Sequence, residues 1–328
     1  MSTPYISSTV LKDWHVWLTE TVNNYQNEDA LPLATFVNGL ETAADEAKQA
    51  QLGWLIGRHS DYRSRGTLGS VVTGAGTLGA GLNLLSRFYA LIQDATYVKL
   101  EVIEDRAVLS YKILDPHIWP REQDALYTLG MFSNILQSAS DGIWKQVQIN
   151  LEAPRTAKNA ELSRVIHAPV TFSAAANEIV FPARFLSSQF KNTEPVLFDD
   201  IRQLAQALSR KNRQMAFADR TRYVIFAALF DTSICQERVA RELGLSTRTL
   251  RRKLAAEGSS YQHLLDECRM EIAAHELAVE KQVSLSQMAL KLGYSEHSTF
   301  TRAFYRWAGM SPRRYRGMAN QNLLALEA

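Results

Sequence analysis

Apolar positions change their spacing several times along the chain, and each spacing predicts an element. Leu11, Trp14, Trp17, Leu18 and Val22 recur at three- and four-residue steps, so Leu11 to Tyr25 reads as an amphipathic helix. Leu82 to Ile92 reads as another. Two β-like runs, Tyr97 to Ile103 and Ala107 to Ile113, flank the short Glu104-Asp105-Arg106 turn and predict a hairpin, which Asp115-Pro116 ends. A helix is predicted from Arg121 to Gln137, a strand over Val147 to Leu151, and a short helix near Ala157 to Val165. Val170 to Ser173 and Glu178 to Phe181 add two further β-like segments. From Asp199 onward helical spacing runs almost to the end, and no strand is expected. The polar, basic stretch Ser209 to Gln214 suits a linker or the end of a helix. The pattern therefore predicts an α+β front domain followed by an all-α back domain.

One motif competes with this division. Val71-Val72-Thr73 runs into Gly74-Ala75-Gly76-Thr77-Leu78-Gly79, a literal GxGxxG followed by an apolar helix. In a dinucleotide-binding enzyme, Gly74 and Gly76 would let the backbone approach a pyrophosphate, and Glu101 or Glu104 would hold the ribose. The preceding strand is short, and no second strand–helix–strand unit follows. A glycine-rich approach to a helix, with backbones packed closely, is the favoured reading.

The strongest pattern is an internal repeat. Val239 to Leu250 resembles Met288 to Phe300, with Ala240, Leu243, Gly244 and Ser246 recurring as Ala289, Leu292, Gly293 and Ser295. These residue types serve a helix-turn-helix. The small Ala lets two helices cross closely, Leu fills the wedge between them, and Gly takes a turn position with positive φ. Leu245 or Tyr294 plugs the shared core, and Ser246 or Ser295 caps the second helix. Leu250 and Leu254 in the first unit, with Phe300 and Phe304 in the second, keep one face inward and leave the opposite face for DNA. Between the units, Tyr261 to Glu280 carries Leu264, Cys268, Ile272 and Leu277 at helical spacing. Such a linker helix spans about 30 Å, close to the roughly 34 Å between successive major-groove faces of B-DNA.

Residues from about Phe217 to Arg316, through Val239 to Leu254, Ser284 to Trp307 and the Gly309-Met310-Ser311-Pro312-Arg313-Arg314-Tyr315-Arg316 ending, resemble the DNA-binding domain of the AraC/XylS family. Pro312 is expected to stop the second recognition helix. The front part, including Pro169 to Ala174 and Asn177 to Pro182, is similar to the sensor domain of the subgroup containing ornithine-utilisation regulators. The resemblance implies an arabinose-binding-domain-like effector and dimerisation domain over residues 1–208. It implies a double helix-turn-helix DNA-binding domain over residues 209–328. Expected partners are double-stranded promoter DNA, an unidentified small-molecule effector, a second copy in a homodimer, and RNA polymerase where the chain acts as an activator. The expected DNA contacts are Arg248, Arg251 and Arg252 in the first unit. In the second they are His297, Ser298, Thr301, Arg302 and Arg306, with base readers of the family matching the first four. Lys253, Arg313 and Arg314 suit phosphate contacts or solvated positions.

Composition narrows the alternatives. The chain has 328 residues, with 36 Lys+Arg against 34 Asp+Glu. Residues 231–328 hold 14 basic and 11 acidic residues, so even the back domain is mildly basic and affinity rests on where its arginines point. No run approaches the roughly 18 apolar residues of a membrane span, and the chain is expected to be cytoplasmic. Cys235 and Cys268 lack partners at disulfide-scaffold or zinc spacing and read as two small buried residues. The seven histidines show no metal motif, and no catalytic constellation or cofactor site is expected beyond the glycine alternative. Trp14, Trp17, Trp54 and Tyr62 fit core positions better than pocket walls. Arg58, His59, Arg63 and Arg65 fit a solvated loop better than an anion site.

Overall fold

The computed structural model describes residues 3–18, 24–25, 27–191, 198–229, 234–279 and 284–317. They fall into one compact unit over Ser2–Gln214 and another beginning at Met215.

The front unit starts with strand β1 (Tyr5–Ser7), helix α1 (Leu11–Trp14) and strand β2 (Ala30–Pro32), which pairs antiparallel with β1. The expected helix over Leu11 to Tyr25 is, in its described part, one regular turn at Leu11–Trp14 and two helical residues at 24–25. Val22 lies outside the described residues. Leu11, Trp14 and Leu18 are buried, whereas Trp17 is 39% exposed. Four helices follow: α2 (Leu33–Glu46), α3 (Leu52–His59), α4 (Thr67–Thr73) and α5 (Leu78–Phe88). Strands β3 (Thr96–Ile103) and β4 (Arg106–Ile113) form the expected hairpin, turning through Glu104 at φ +56°. Helix α6 (Glu122–Ala139), strand β5 (Gln148–Asn150), helix α7 (Leu162–Ile166), strand β6 (Val170–Thr171) and strand β7 (Asn177–Pro182) complete the α+β part. The sheet order is β3-β4-β7-β5-β6, antiparallel except for the β5–β6 pair.

Helix α6 is the centre of this unit, buried on nearly every face. Its crossing with α3 leaves no room for side chains. A Cβ at Gly53 would lie 2.2 Å from the Gln123 carbonyl oxygen, and one at Gly57 would lie 2.1 Å from that of Tyr127. Buried polar groups are paired around the same helix. Arg65 forms an ion pair with Asp13 and donates to the Tyr127 hydroxyl at 2.6 Å. Glu152 lies between Lys112 and Arg121 at 2.7 and 2.9 Å, and these cations hold its carboxyl at about 2 despite the opposing effect of burial.

The glycine loop has a different role from the dinucleotide alternative. Val71, Val72 and Thr73 are the end of α4, so no strand leads into it. Gly74 continues that helix's hydrogen bonding to Ser70, Gly76 turns at φ +81°, and the Thr77 hydroxyl caps α5 by accepting from Ala80 N–H. A Cβ on Gly81 would lie 2.5 Å from the Val72 carbonyl oxygen. Gly81, just beyond the motif, lets α5 pack against α4, Gly79 packs against Leu186, Gly76 serves the turn, and the enzyme reading falls.

Helix α8 (Phe198–Gln214) ends the front unit. The stretch Ser209 to Gln214 is its last part, and the expected boundary at 208/209 lies inside it. The back unit contains α9 (Phe217–Leu229), α10 (Gln236–Glu242), α11 (Thr247–Ala256), α12 (Tyr261–Val279), α13 (Leu285–Lys291) and α14 (His297–Ala308). Its described residues contain no strand. Among the described residues no helix is long and apolar enough to cross a membrane. Cys268 is buried, but Cys235 is exposed just before α10, which corrects the expectation that both cysteines are core residues.

Candidate nucleic-acid interface

Two helix-turn-helix units are built from the repeated residues. Ala240 and Ala289 are each 1% exposed, so α11 and α14 cross α10 and α13 at close range. Gly244 and Gly293 take φ +67° and +77°, the conformation that turns the chain between helices and that a side chain strains. Leu250, Leu254, Phe300 and Phe304 are fully buried and seat the second helix of each unit.

The turns differ by one residue. The Ser246 hydroxyl accepts from Thr249 N–H at 3.2 Å and caps α11. In the second unit Glu296, not the expected Ser295, occupies the cap position of α14, and no side chain accepts there. An extra residue therefore sits in the second turn. Past it Leu250 corresponds to Phe300, Arg248 to Ser298, Arg251 to Thr301 and Arg252 to Arg302. Helix α14 stops at Gly309, which adopts φ +69° and donates its N–H to the Tyr305 carbonyl. Pro312, expected to stop the helix, instead begins the helical residues 312–317, so the stop belongs to Gly309.

Arg248, Arg251 and Arg252 are all exposed on α11. At 100° per residue, Arg252 points about 180° from the buried Leu250–Leu254 edge and Arg248 about 140° from it, whereas Arg251 lies nearer the flank. The Arg251 Nε donates to Gln236 Oε1 on α10 at 3.1 Å, so its guanidinium is steered by the first helix. On α14, His297, Ser298, Arg302 and Arg306 are exposed, and Thr301 is half-buried. Arg302 points about 180° from the Phe300–Phe304 edge. The His297 Nε2 and Thr301 Oγ1 are 3.3 Å apart, and the Ser298 hydroxyl donates to Glu296 Oε2 at 3.0 Å. Each helix thus offers a polar ridge with one arginine at its crest. Lys253 lies 5.1 Å from the Phe217 ring centroid, a contact that leaves its charge at the side of the ridge.

Four supporting contacts were not apparent from spacing. Glu257, just beyond α11, accepts from the backbone N–H groups of Phe217 and Ala218 at 2.9 and 2.8 Å, capping α9 and fixing α11 against it. Helix α12 is tied to α9 by Arg222, which pairs with Glu267 at 2.8 Å and Glu271 at 3.6 Å. It is tied to the second turn by Arg269, whose guanidinium lies 4.8 Å from the Tyr294 ring centroid, and by the Lys291–Glu276 ion pair. Because α12 has 19 residues, it carries the two units about 28 Å along its axis.

The front unit holds a cleft of roughly 480 Å³ between the end of α3, the following turn and the last half of α6. His59, Tyr62, Arg63, Asn134, Gln137 and Lys191 are among its walls. Tyr62 is 3% exposed, and its hydroxyl has no hydrogen-bond partner. Arg65, grouped with these cations in the sequence, is instead consumed by its ion pair with Asp13. Trp14 and Trp54 are fully buried core residues. Among the described residues there is no group of acidic, histidine and cysteine side chains able to hold a metal ion.

Residues 24–190 match the arabinose-binding domain of AraC transcription regulators, and residues 239–318 match a helix-turn-helix domain. The chain is 27% identical over 273 residues to the ornithine utilization regulator of Pseudomonas aeruginosa, covering 81% of this chain and 78% of that protein. It is 25% identical over 297 residues to the regulator VirS of Mycobacterium tuberculosis, covering 89% and 86%. The crystal structure of the transcriptional regulator CdpR from Pseudomonas aeruginosa aligns with 84% of this chain and 91% of that chain, at 23% identity and a TM-score of 0.37.

Proposed function

The chain belongs to the AraC family of transcription regulators, and from that premise we propose how its residues divide the work. It is a DNA-binding regulator with an effector-binding front domain, and the relatives it matches are regulators rather than enzymes. The observation that carries the residue-level reading is the pair of exposed ridges on α11 and α14, each seated by two fully buried side chains.

In this reading Arg248, Arg252, Ser298 and Arg302 meet base edges. Arg251, His297 and Thr301 set the flanks, and Arg306 holds phosphate. Residues 209–328 form the reader and residues 1–208 the sensor, with 209–214 as the shared end of α8. In this reading the chain works in the cytoplasm, alongside the DNA it binds. The sensor carries the chain into a homodimer, and where the regulator activates, the assembled complex engages RNA polymerase. The cleft beside Tyr62 holds the effector. Its His59, Arg63 and Lys191 suit a small molecule whose carboxylate or phosphate displaces Asp61 from Arg63 and Asp141 from Lys191, with Asn134 and Gln137 as hydrogen-bonding neighbours.

A thermal-shift screen of amino acids, organic acids, sugars and nucleotides on the full chain tests the sensor assignment, since a ligand that binds only the folded state raises Tm. A stabilising anion whose effect disappears in Arg63→Ala and Lys191→Ala supports this cleft. Stabilisation unchanged in both variants places the effector elsewhere. A gel shift with duplexes selected from a random pool tests the reader, and absence of any selected sequence overturns it.

A further inference from the structure

We propose that two copies of this chain join through strand β3, edge to edge and antiparallel, with Leu100 on the twofold axis. The inference rests on the homodimer reading above and gives it an interface. Strand β3 is the outermost of five, so one side of its backbone is not used by β4. Unpaired edges of this length invite pairing unless they are covered or charged.

The register follows from three independent constraints. The hairpin turns through two residues, so the flanking Ile103 and Arg106 form its hydrogen-bonded pair. Alternation then directs the backbone groups of Ile103, Glu101, Lys99 and Tyr97 toward β4, in keeping with the Ala95 carbonyl accepting from Leu114 N–H. Those of Val102, Leu100 and Val98 point outward, away from β4. Twofold pairing of outward groups therefore requires an even-numbered residue or an inward odd-numbered residue at the axis.

Charge selects among these registers. Centring on Lys99 would place it against Lys99 of the other copy, and centring on Glu101 would oppose two carboxylates. Centring on Leu100 sets Lys99 opposite Glu101 twice, in non-hydrogen-bonded pairs where side chains approach most closely. Both residues retain exposure for this, at 32% and 41% of their side chains, and within one chain they lie 2.7 Å apart. A twofold pair would let the two ions of each strand form one four-charge cluster.

Apolar exposure falls at the matching places. Val102 and Ile103 are 54% and 58% exposed, high values for large apolar side chains. The Leu100-centred register lays Val98 against Val102 and Tyr97 against Ile103, covering both. The two sheets would continue into one, a self-association that uses the same backbone hydrogen bonds as strand addition by a peptide.

Sedimentation of the full chain across a concentration series tests this. Wild type is expected to dimerise, and Lys99→Glu or Glu101→Lys should each weaken the dimer by roughly tenfold, because each creates two like-charge pairs. The double variant K99E/E101K restores the opposite pairing and should return to within about threefold of wild type. Hydrogen exchange gives a readout without mutation: peptides over 96–103 should gain protection as the dimer fills. A wild type that stays monomeric at every concentration overturns the homodimer reading and this interface with it. A dimer unmoved by either single variant, with 96–103 exchanging at an unchanged rate, overturns the interface while the homodimer stands. A double variant as weak as the singles, with native near-ultraviolet circular dichroism, overturns the Lys99–Glu101 register.

Discussion

Arg252 and Arg302 occupy the same place on their respective helices, each about 180° from the two buried side chains that seat the helix. The equivalence holds although the second turn carries an extra residue, because Phe300 and Phe304 shift in step with Arg302. A regulator that reads two grooves with one chain would place its main base contacts at these crests.

Arg252→Ala and Arg302→Ala should therefore each cost roughly 1 to 3 kcal/mol on the selected site and little on a scrambled duplex. Arg306→Ala should weaken both duplexes alike and reduce the salt slope by about one unit, as expected for a phosphate contact. Titrations on both duplexes at two salt concentrations separate these behaviours. Equal losses on both duplexes for Arg302→Ala would move it to the phosphate group.

The extra turn residue gives two serines unequal weight. Ser246→Ala removes the hydroxyl that accepts from Thr249 N–H and should cost about 1 kcal/mol. Ser295 stands one position before the cap and is exposed, so Ser295→Ala should change stability by less than about 0.5 kcal/mol. Urea titration of the two variants measures the contrast.

Arg269 is held over Tyr294 and is also close to Gly293, where an added Cβ would come within 3.0 Å of its guanidinium. Loss of this contact loosens the second turn on α12 and leaves the Lys291–Glu276 ion pair as the remaining tie. Arg269→Ala should lower Tm and weaken specific binding, whereas Arg269→Lys should recover only part of it, since an ammonium lacks the planar stacking face. Thermal unfolding and DNA titration of both variants check the order.

Much of the reader was legible in the sequence because its determinants are local. Ala240, Gly244 and Leu250 lie within one unit, and their repeat marks the mechanics directly. The slip at Glu296 was hidden because the repeated Ala, Leu, Gly and Ser keep their spacing up to Ser295 and change only beyond it. The β3–β4 hairpin was legible for the same local reason. Helices α3 and α4 were not. Gly53 and Gly57 are poor helix formers whose value appears only against Gln123 and Tyr127, some 70 residues away. Val71-Val72-Thr73 favours a strand by propensity, but burial within the front core holds it helical. The cleft beside Tyr62 was equally hidden, since Lys191 joins His59 and Arg63 only through the fold.

Raised carboxyls, buried Asp124 and half-buried Glu41 among them, give the front unit a pH dependence of defined sign. Burial raises Asp124 to about 6, against the opposing hydrogen bond from Tyr111, and raises Glu41 to about 7, against the bond from Gln123 N–H. The folded state therefore holds more protons than the unfolded state between their ordinary and raised values. Stability should fall as pH rises from about 4 to about 7. Glu152 acts oppositely: its contribution is present above 4.5 and lost as pH falls toward about 2. Asp124→Asn should flatten the decline on the neutral side, measured by Tm across pH 4 to 8. A slope unchanged in that variant would assign the dependence to other groups.

With α11 and α14 set at the two ends of α12, one chain is expected to read two successive major grooves from one face of the duplex. Hydroxyl-radical footprinting on a selected site checks this. The predicted result is two protected patches per protomer, about 10 bp apart on the same face, with the patch beneath α14 lost in Arg302→Ala. Protection of a single groove per protomer would mean that only one of the two helices reads the duplex.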